Sequence, residues 1–202
     1  MKAIITGFEP FGGESVNPSF EAVKLLPDSV AGCTIIKISL PVEYSRAAEV
    51  LIAEIDAARP DFVMMAGQAG GRTGITPEAI AINFADTSAA DNAGTVHMGD
   101  KIIPHAPAAY FSTLPFIKMV NEMRARGVSA YLSNSAGAYV CNDLMFRTLH
   151  AVSQSGNAET IKCGFVHVPY ADTQGKTPNM PLAEIARGLW TCVEACVSEY
   201  GK

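Results

Sequence analysis

The sequence predicts a three-layer α/β/α sandwich with a mostly parallel, mixed central sheet, and three observations carry that expectation. Short runs of β-branched and apolar residues alternate with helical patterns from end to end, as consecutive βαβ units do. Several of those runs are too continuously apolar to have a solvent face, so they belong in the interior of a sheet covered on both sides. A chain of 202 residues, 49% hydrophobic and 17% charged, suffices for one large α/β core, and residues 1–202 read as a single domain with no repeat, low-complexity tract or linker.

Taken in order, strands are expected over 2–7, 34–40, 62–66, 79–84, 129–133 and 161–168. The first helix, over 18–26, has Asn17 placed to cap it and Pro18 in its first turn, where a missing N–H leaves no bond unmade. Further helices are expected over 44–58, 108–126, 142–153 and 181–200, with Pro115 kinking or splitting the third. In such a sandwich the ligand site lies outside the carboxyl ends of the strands.

Composition narrows the function classes. A net charge of −5 leaves no basic stripe for a phosphate backbone, so no nucleic-acid partner is expected and small or peptide substrates fit better. The opening Met1-Lys2-Ala3-Ile4-Ile5-Thr6-Gly7 is too short an apolar run for a signal peptide, and no later stretch approaches a membrane span. No membrane association and a cytoplasmic location are therefore expected. Five cysteines, without scaffold spacing, are expected to be thiols.

Cys141 is the thiol with a chemical setting. It follows the small, turn-prone run Ser133-Asn134-Ser135-Ala136-Gly137-Ala138 and leads into the helical pattern Asp143-Leu144-Met145-Phe146. That places it at a helix N-terminus, where unpaired N–H groups and the macrodipole are expected to favour the thiolate. Cys163 lies four residues before His167 on one strand, about 13 Å away at roughly 3.3 Å per residue, too far for a direct pair. Cys192 and Cys196, one helical turn apart in an apolar stripe, read as packing, and Cys33 has no partner in sequence. His97, His105 and His150 lack metal spacing, and no catalytic metal or other cofactor is expected.

Three segments leave strands where a ligand would sit. Thr6-Gly7-Phe8-Glu9-Pro10-Phe11-Gly12-Gly13-Glu14 has glycines at phosphate-loop spacing but Gly13-Glu14 where Lys and Ser/Thr should stand, so nucleotide binding is rejected. Phe8 and Phe11 are either core or the walls of a flat apolar slot. Gly67-Gln68-Ala69-Gly70-Gly71-Arg72-Thr73-Gly74-Ile75-Thr76-Pro77-Glu78 has no dinucleotide fingerprint, and its Glu78 is either a surface carboxylate or one that orients a histidine. Gly164-Phe165-Val166-His167-Val168-Pro169-Tyr170 ends an apolar strand with a histidine that is either satisfied core or the partner of Cys141, one helix earlier.

Over essentially its whole length the chain resembles the pyroglutamyl peptidase I (pyrrolidone-carboxylate peptidase) family. The resemblance is carried by Thr6 to Gly13 with Asn17-Pro18, by Gly67 to Arg72 with Ile75 to Glu78, by Ser133 to Asn142, and by Phe165 to Tyr170. It implies that Cys141 is the nucleophile, His167 the general base and acid, and Glu78 the carboxylate that orients the imidazole. It further implies peptides with an N-terminal pyroglutamate as substrates, held in a ring pocket of Phe8 and Phe11, with Asn17, Gln68, Tyr139 and Val140 as neighbours, and a homodimer or homotetramer. The family usually shows a basic residue where this chain has Ala79, and Arg-Ile-Pro where it has Ser88-Ala89-Ala90. Altered affinity is expected from these changes. The alternatives are a cysteine amidohydrolase for another small cyclic or N-blocked amide, a non-catalytic lactam-binding homologue, and a redox-sensing thiol. Residues 86–101, glycine-containing and polar, are expected to act as a mobile lid.

Overall fold

The first strand, β1 (Lys2–Phe8), is buried from Ala3 onward and becomes an interior strand of the sheet. In this computed structural model, residues 1–157 and 159–201 are described. After β1 come α1 (Pro18–Lys24), β2 (Ser29–Val30), β3 (Cys33–Leu40), α2 (Arg46–Ala58), β4 (Phe62–Gln68) and β5 (Thr76–Pro77). They are followed by β6 (Ile80–Ile82), β7 (Ala85–Thr87), β8 (His97–Asp100), β9 (Ala109–Phe111), α3 (Phe116–Ala125) and α4 (Val140–Gln154). The chain closes with β10 (Lys162–Val168), β11 (Tyr170–Ala171), β12 (Asn179–Met180) and α5 (Leu182–Tyr200).

The central sheet has six strands in the order β2-β3-β1-β4-β10-β5. β3, β1, β4 and β10 are mutually parallel, whereas β2 and β5 run antiparallel at the edges, giving the mixed sheet that the sequence predicts. Alternate side chains of β1 feed two cores. Ala3 and Ile5 pack with Ala22 and Val23 of α1, Met119 of α3 and Leu189 of α5; Ile4 packs with Leu51 and Ile55 of α2 and Leu144 and Phe146 of α4. Phe62, Phe146 and Phe165 are fully buried, each burial contributing about 1.5–3 kcal/mol against exposure.

α1 lies on one face of the sheet and α2 on the other, so the connections from β1 to β3 and from β3 to β4 leave in opposite directions. The order reverses between β1 and β4, and a crevice forms at their carboxyl ends, Phe8 and Gln68.

Three expected elements differ. The 79–84 strand shrinks to β6, which pairs with β9 off the main sheet. Asn142 explains this: its buried side chain accepts from Ile82 N and donates to the carbonyls of Ile82 and Phe84, occupying groups that a ladder would use. The 129–133 segment makes only isolated parallel bridges, Ile75 to Ala130 and Glu78 to Ser133, because its partner strand is the two-residue β5, which contains Pro77. The 108–126 helix becomes β9 followed by α3, which starts only after Pro115; the aromatic pair Tyr110-Phe111 extends and pairs with β6. At α1 the expectation holds: Asn17 Oδ1 accepts from Ser19 N at 3.1 Å, with Pro18 at the first position.

Candidate active site

β5 delivers Glu78 to β10. Thr76 pairs with His167 and Pro77 with Val166, and Glu78 N donates to the Phe165 carbonyl at 2.8 Å, which turns the next side chain under the end of β10. Glu78 is completely buried and its Oε1 lies 2.7 Å from His167 Nδ1. Donation of Nδ1–H to the carboxylate fixes the tautomer and leaves Nε2 as the acceptor. Glu78 is therefore not a surface carboxylate, and His167, 4% exposed, is a buried histidine bonded to it.

Arg72, for which no role is expected from sequence, is the third member of this cluster. Its guanidinium donates to Glu78 Oε1 at 2.7 Å, to Thr76 Oγ1, and to the Ser135 carbonyl at 3.3 Å. One cation therefore ties the carboxylate to the segment that leads into α4. The signal available in sequence was an arginine between glycines, six residues before a carboxylate in an otherwise uncharged stretch.

Cys141 is the second residue of α4, with Tyr139 as the cap residue in extended conformation. Its thiol packs over Gly67, the β4 position in register with His167: a Cβ built on Gly67 would lie 3.0 Å from Cys141 Sγ and 2.7 Å from the Phe165 ring. In-register residues of neighbouring parallel strands face the same side about 4.8 Å apart, so the thiol lies on the face of the sheet to which His167 belongs.

The helix start acts on Cys141 in the expected direction but is opposed by burial. Burial pushes the Cys141 thiol up to about 12, and the nearby Glu78 charge pushes the same way; Arg72 and the helix-start backbone N–H oppose them and lose. Burial also lowers His167, outweighing the raising effect of Glu78. For both groups burial favours the uncharged form. Cys33, Cys163, Cys192 and Cys196 are all buried; Cys141 alone of the five is partly exposed.

Phe8, Phe11, Asn17, Gln68, Tyr139 and Val140 line one cavity together with Val42, and Cys141 forms part of its wall. Phe8 is both core and wall, 3% exposed and 6.4 Å from the Phe165 ring, while Phe11 leans on Tyr139 at 6.4 Å. Asn17 shapes the cavity without a free amide: Nδ2 donates to the Glu9 carbonyl at 2.9 Å and Oδ1 accepts from Ser19 N and Oγ. The 86–101 stretch forms most of a hairpin of β7 and β8 fastened beside the cavity. Asp91 Oδ2 accepts from Tyr44 N, Asn92 Nδ2 donates to the Pro10 carbonyl, and Tyr139 Oη donates to the Ala90 carbonyl.

Fold and site together define an α/β protein with a helix-start thiol and a carboxylate-held imidazole at the carboxyl ends of its parallel strands. The chain belongs to the pyroglutamyl peptidase family, whose model matches residues 1–199. It is 47% identical over 192 residues to a pyrrolidone-carboxylate peptidase of Thermococcus kodakarensis, covering 94% of this chain and 92% of that one. It is 43% identical to one from Clostridium perfringens, covering 98% and 93%. Among solved structures, the crystal structure of pyroglutamyl peptidase I from Bacillus amyloliquefaciens superimposes with a TM-score of 0.92 at 35% identity, covering 98% of this chain and 97% of that one. A mutant pyrrolidone carboxyl peptidase from Pyrococcus furiosus gives 0.93 at 37%, covering 99% and 100%. Among the described residues no helix is long and apolar enough to cross a membrane.

Proposed function

We propose that this chain is a cytoplasmic, single-domain, homo-oligomeric cysteine peptidase that hydrolyses the amide bond after an N-terminal pyroglutamate, through Cys141, His167 and Glu78. The observation that carries the reading is a single cavity in which an apolar slot and a thiol share a wall, next to an imidazole clasped by a buried carboxylate.

The reaction starts from neutral partners. His167 Nε2 takes the Sγ proton as the sulfur bonds to the carbonyl carbon, and the C=O electron pair becomes the oxyanion. Backbone N–H groups at the start of α4 are the donors for that oxyanion, about 3 kcal/mol each. The imidazolium, stabilised by Glu78, gives its proton to the departing amine as the C–N bond breaks, leaving a thioester on Cys141. Water, deprotonated by His167, then attacks the thioester, and pyroglutamate leaves as the thiol recovers its proton. Aromatic walls suit the flat, neutral ring, whereas the ammonium of an ordinary N-terminus would be desolvated there at a cost of several kcal/mol.

The test is release of a fluorescent amine from a pyroglutamyl amide under reducing conditions. Wild type and Cys163→Ser are expected to turn over, and Cys141→Ser to lose at least about 10³-fold in kcat/KM. Full activity in Cys141→Ser, or none in reduced wild type, overturns the reading.

A further inference from the structure

Glu14, which ruled out a phosphate loop, has a position that the peptidase chemistry leaves unused. It sits after the Gly12-Gly13 turn, where both glycines have positive φ, and Lys176 pairs with its Oε1. Its other oxygen, Oε2, accepts from Gln174 Nε2 at 3.3 Å. The same Nε2 donates to Gln68 Oε1 at 2.9 Å, and Gln174 Oε1 accepts from Ala171 N at 2.9 Å. Gln68 lines the cavity; Gln174 is not among the lining residues.

This chain of contacts fixes which way each amide faces. A backbone N–H can only donate, so the Gln174 atom facing Ala171 must be its oxygen. The carboxylate of Glu14, held low by Lys176 and Gln174, can only accept, so the opposite end of Gln174 must be its NH₂. An NH₂ facing Gln68 requires an oxygen there. The Gln68 Nε2, which has no acceptor among the described residues, is thereby the end left for the cavity.

We propose that Gln174, with Glu14 and Lys176 behind it, is a positioning residue that sets the Gln68 amide so that the ring pocket presents an N–H donor rather than a carbonyl. On the pyroglutamyl reading above, from which the ligand class is taken, that donor meets the lactam carbonyl. A ring lacking the carbonyl, such as a prolyl group, leaves the donor unpaired and is rejected.

Gln174→Glu tests this, because a carboxylate at 174 still accepts from Ala171 N but cannot donate to Gln68, and it draws the Gln68 NH₂ towards itself. The probe is 2-pyrrolidone, titrated while the Gln68 side-chain amide resonances, assigned by their loss in Gln68→Ala, are followed by ¹H–¹⁵N spectroscopy. In wild type the lactam is expected to shift those resonances; in Gln174→Glu it does not, and its Kd rises about tenfold. The double variant Glu14→Gln/Gln174→Glu relieves the new charge repulsion but not the flipped amide, so it is expected to stay weak. In a Gln68→Ala background, Gln174→Glu is expected to add no further weakening.

Unchanged lactam affinity in Gln174→Glu, recovery in the double variant, or an undiminished effect in the Gln68→Ala background overturns the proposal. Wild type that binds 2-pyrrolidone in this manner yet cleaves no pyroglutamyl amide would overturn the peptidase reading and support the Gln174 assignment. Wild type that cleaves pyroglutamyl amides while 2-pyrrolidone leaves the Gln68 resonances unmoved overturns the Gln174 assignment alone.

Discussion

Arg72 sets the protonation balance of the site. It faces Glu78 Oε1 directly, with 22% of its side chain exposed, and its charge lowers both the His167 imidazole and the Cys141 thiol. Removing it as Arg72→Met is expected to raise both groups. The acid limb of kcat/KM reports loss of the neutral imidazole as pH falls, so that limb should move to higher pH and activity at pH 6 should fall more than at pH 8. The variant also leaves a buried carboxylate without its cation, a loss of about 3 kcal/mol in stability by urea unfolding. A destabilised Arg72→Met with an unmoved pH profile would reduce Arg72 to a structural tie. The adjacent roles were unequally legible in the sequence. Cys141 and His167 stand out because a thiol after a turn and a histidine ending an apolar strand are locally unusual. Arg72 acts through a loop closure that local patterns do not display.

At the scale of elements, the site is a meeting of β4, β10 and the start of α4, and Gly67 is where they touch. Its missing side chain admits both the Phe165 ring and Cys141 Sγ. Gly67→Ala is expected to fold with a loss of about 1–3 kcal/mol from overpacking. Because a displacement near 1 Å costs about 10²-fold, kcat should fall far more than stability does. Kinetics and thermal unfolding of this variant separate the two effects; unchanged kcat would mean that the thiol has another route to the imidazole. The strands and helices that position this junction were legible: β1, β3, β4, β10, α1 and α5 fall within two residues of their expected bounds. What was not legible was set by tertiary contacts. Asn142 takes the backbone groups of Ile82 and Phe84, and no periodicity within 79–84 reveals that a side chain sixty residues away will do so. Likewise 129–133 has strand composition but only a two-residue partner.

For the molecule as a whole, the site couples catalysis to acid stability. Burial depresses the folded-state pKa of His167 below its ordinary value of 6.5, so below that pH the unfolded chain binds more protons than the folded one. This histidine's contribution is therefore fully present above about pH 6.5 and is lost as pH falls, with a slope of at most about 1.4 kcal/mol per pH unit. Urea unfolding of wild type and His167→Gln at pH 7.5 and 5.5 checks the sign: wild type should lose more stability on acidification than the variant. An equal loss in both would place the acid sensitivity elsewhere. The global arrangement that creates this coupling was legible in outline. The alternation of apolar strands and helices implied a ligand crevice at the carboxyl ends, and the reversal of strand order between β1 and β4 places Phe8 and Gln68 on its two sides.

The uncharged resting state of Cys141 has a chemical consequence beyond turnover. Peroxide and disulfide reagents attack thiolates, so a sulfur that is ionised only while a substrate carbonyl is in place offers them little to attack between catalytic cycles. The burial that withholds the nucleophile from solvent therefore also shields it from such reagents between turnovers.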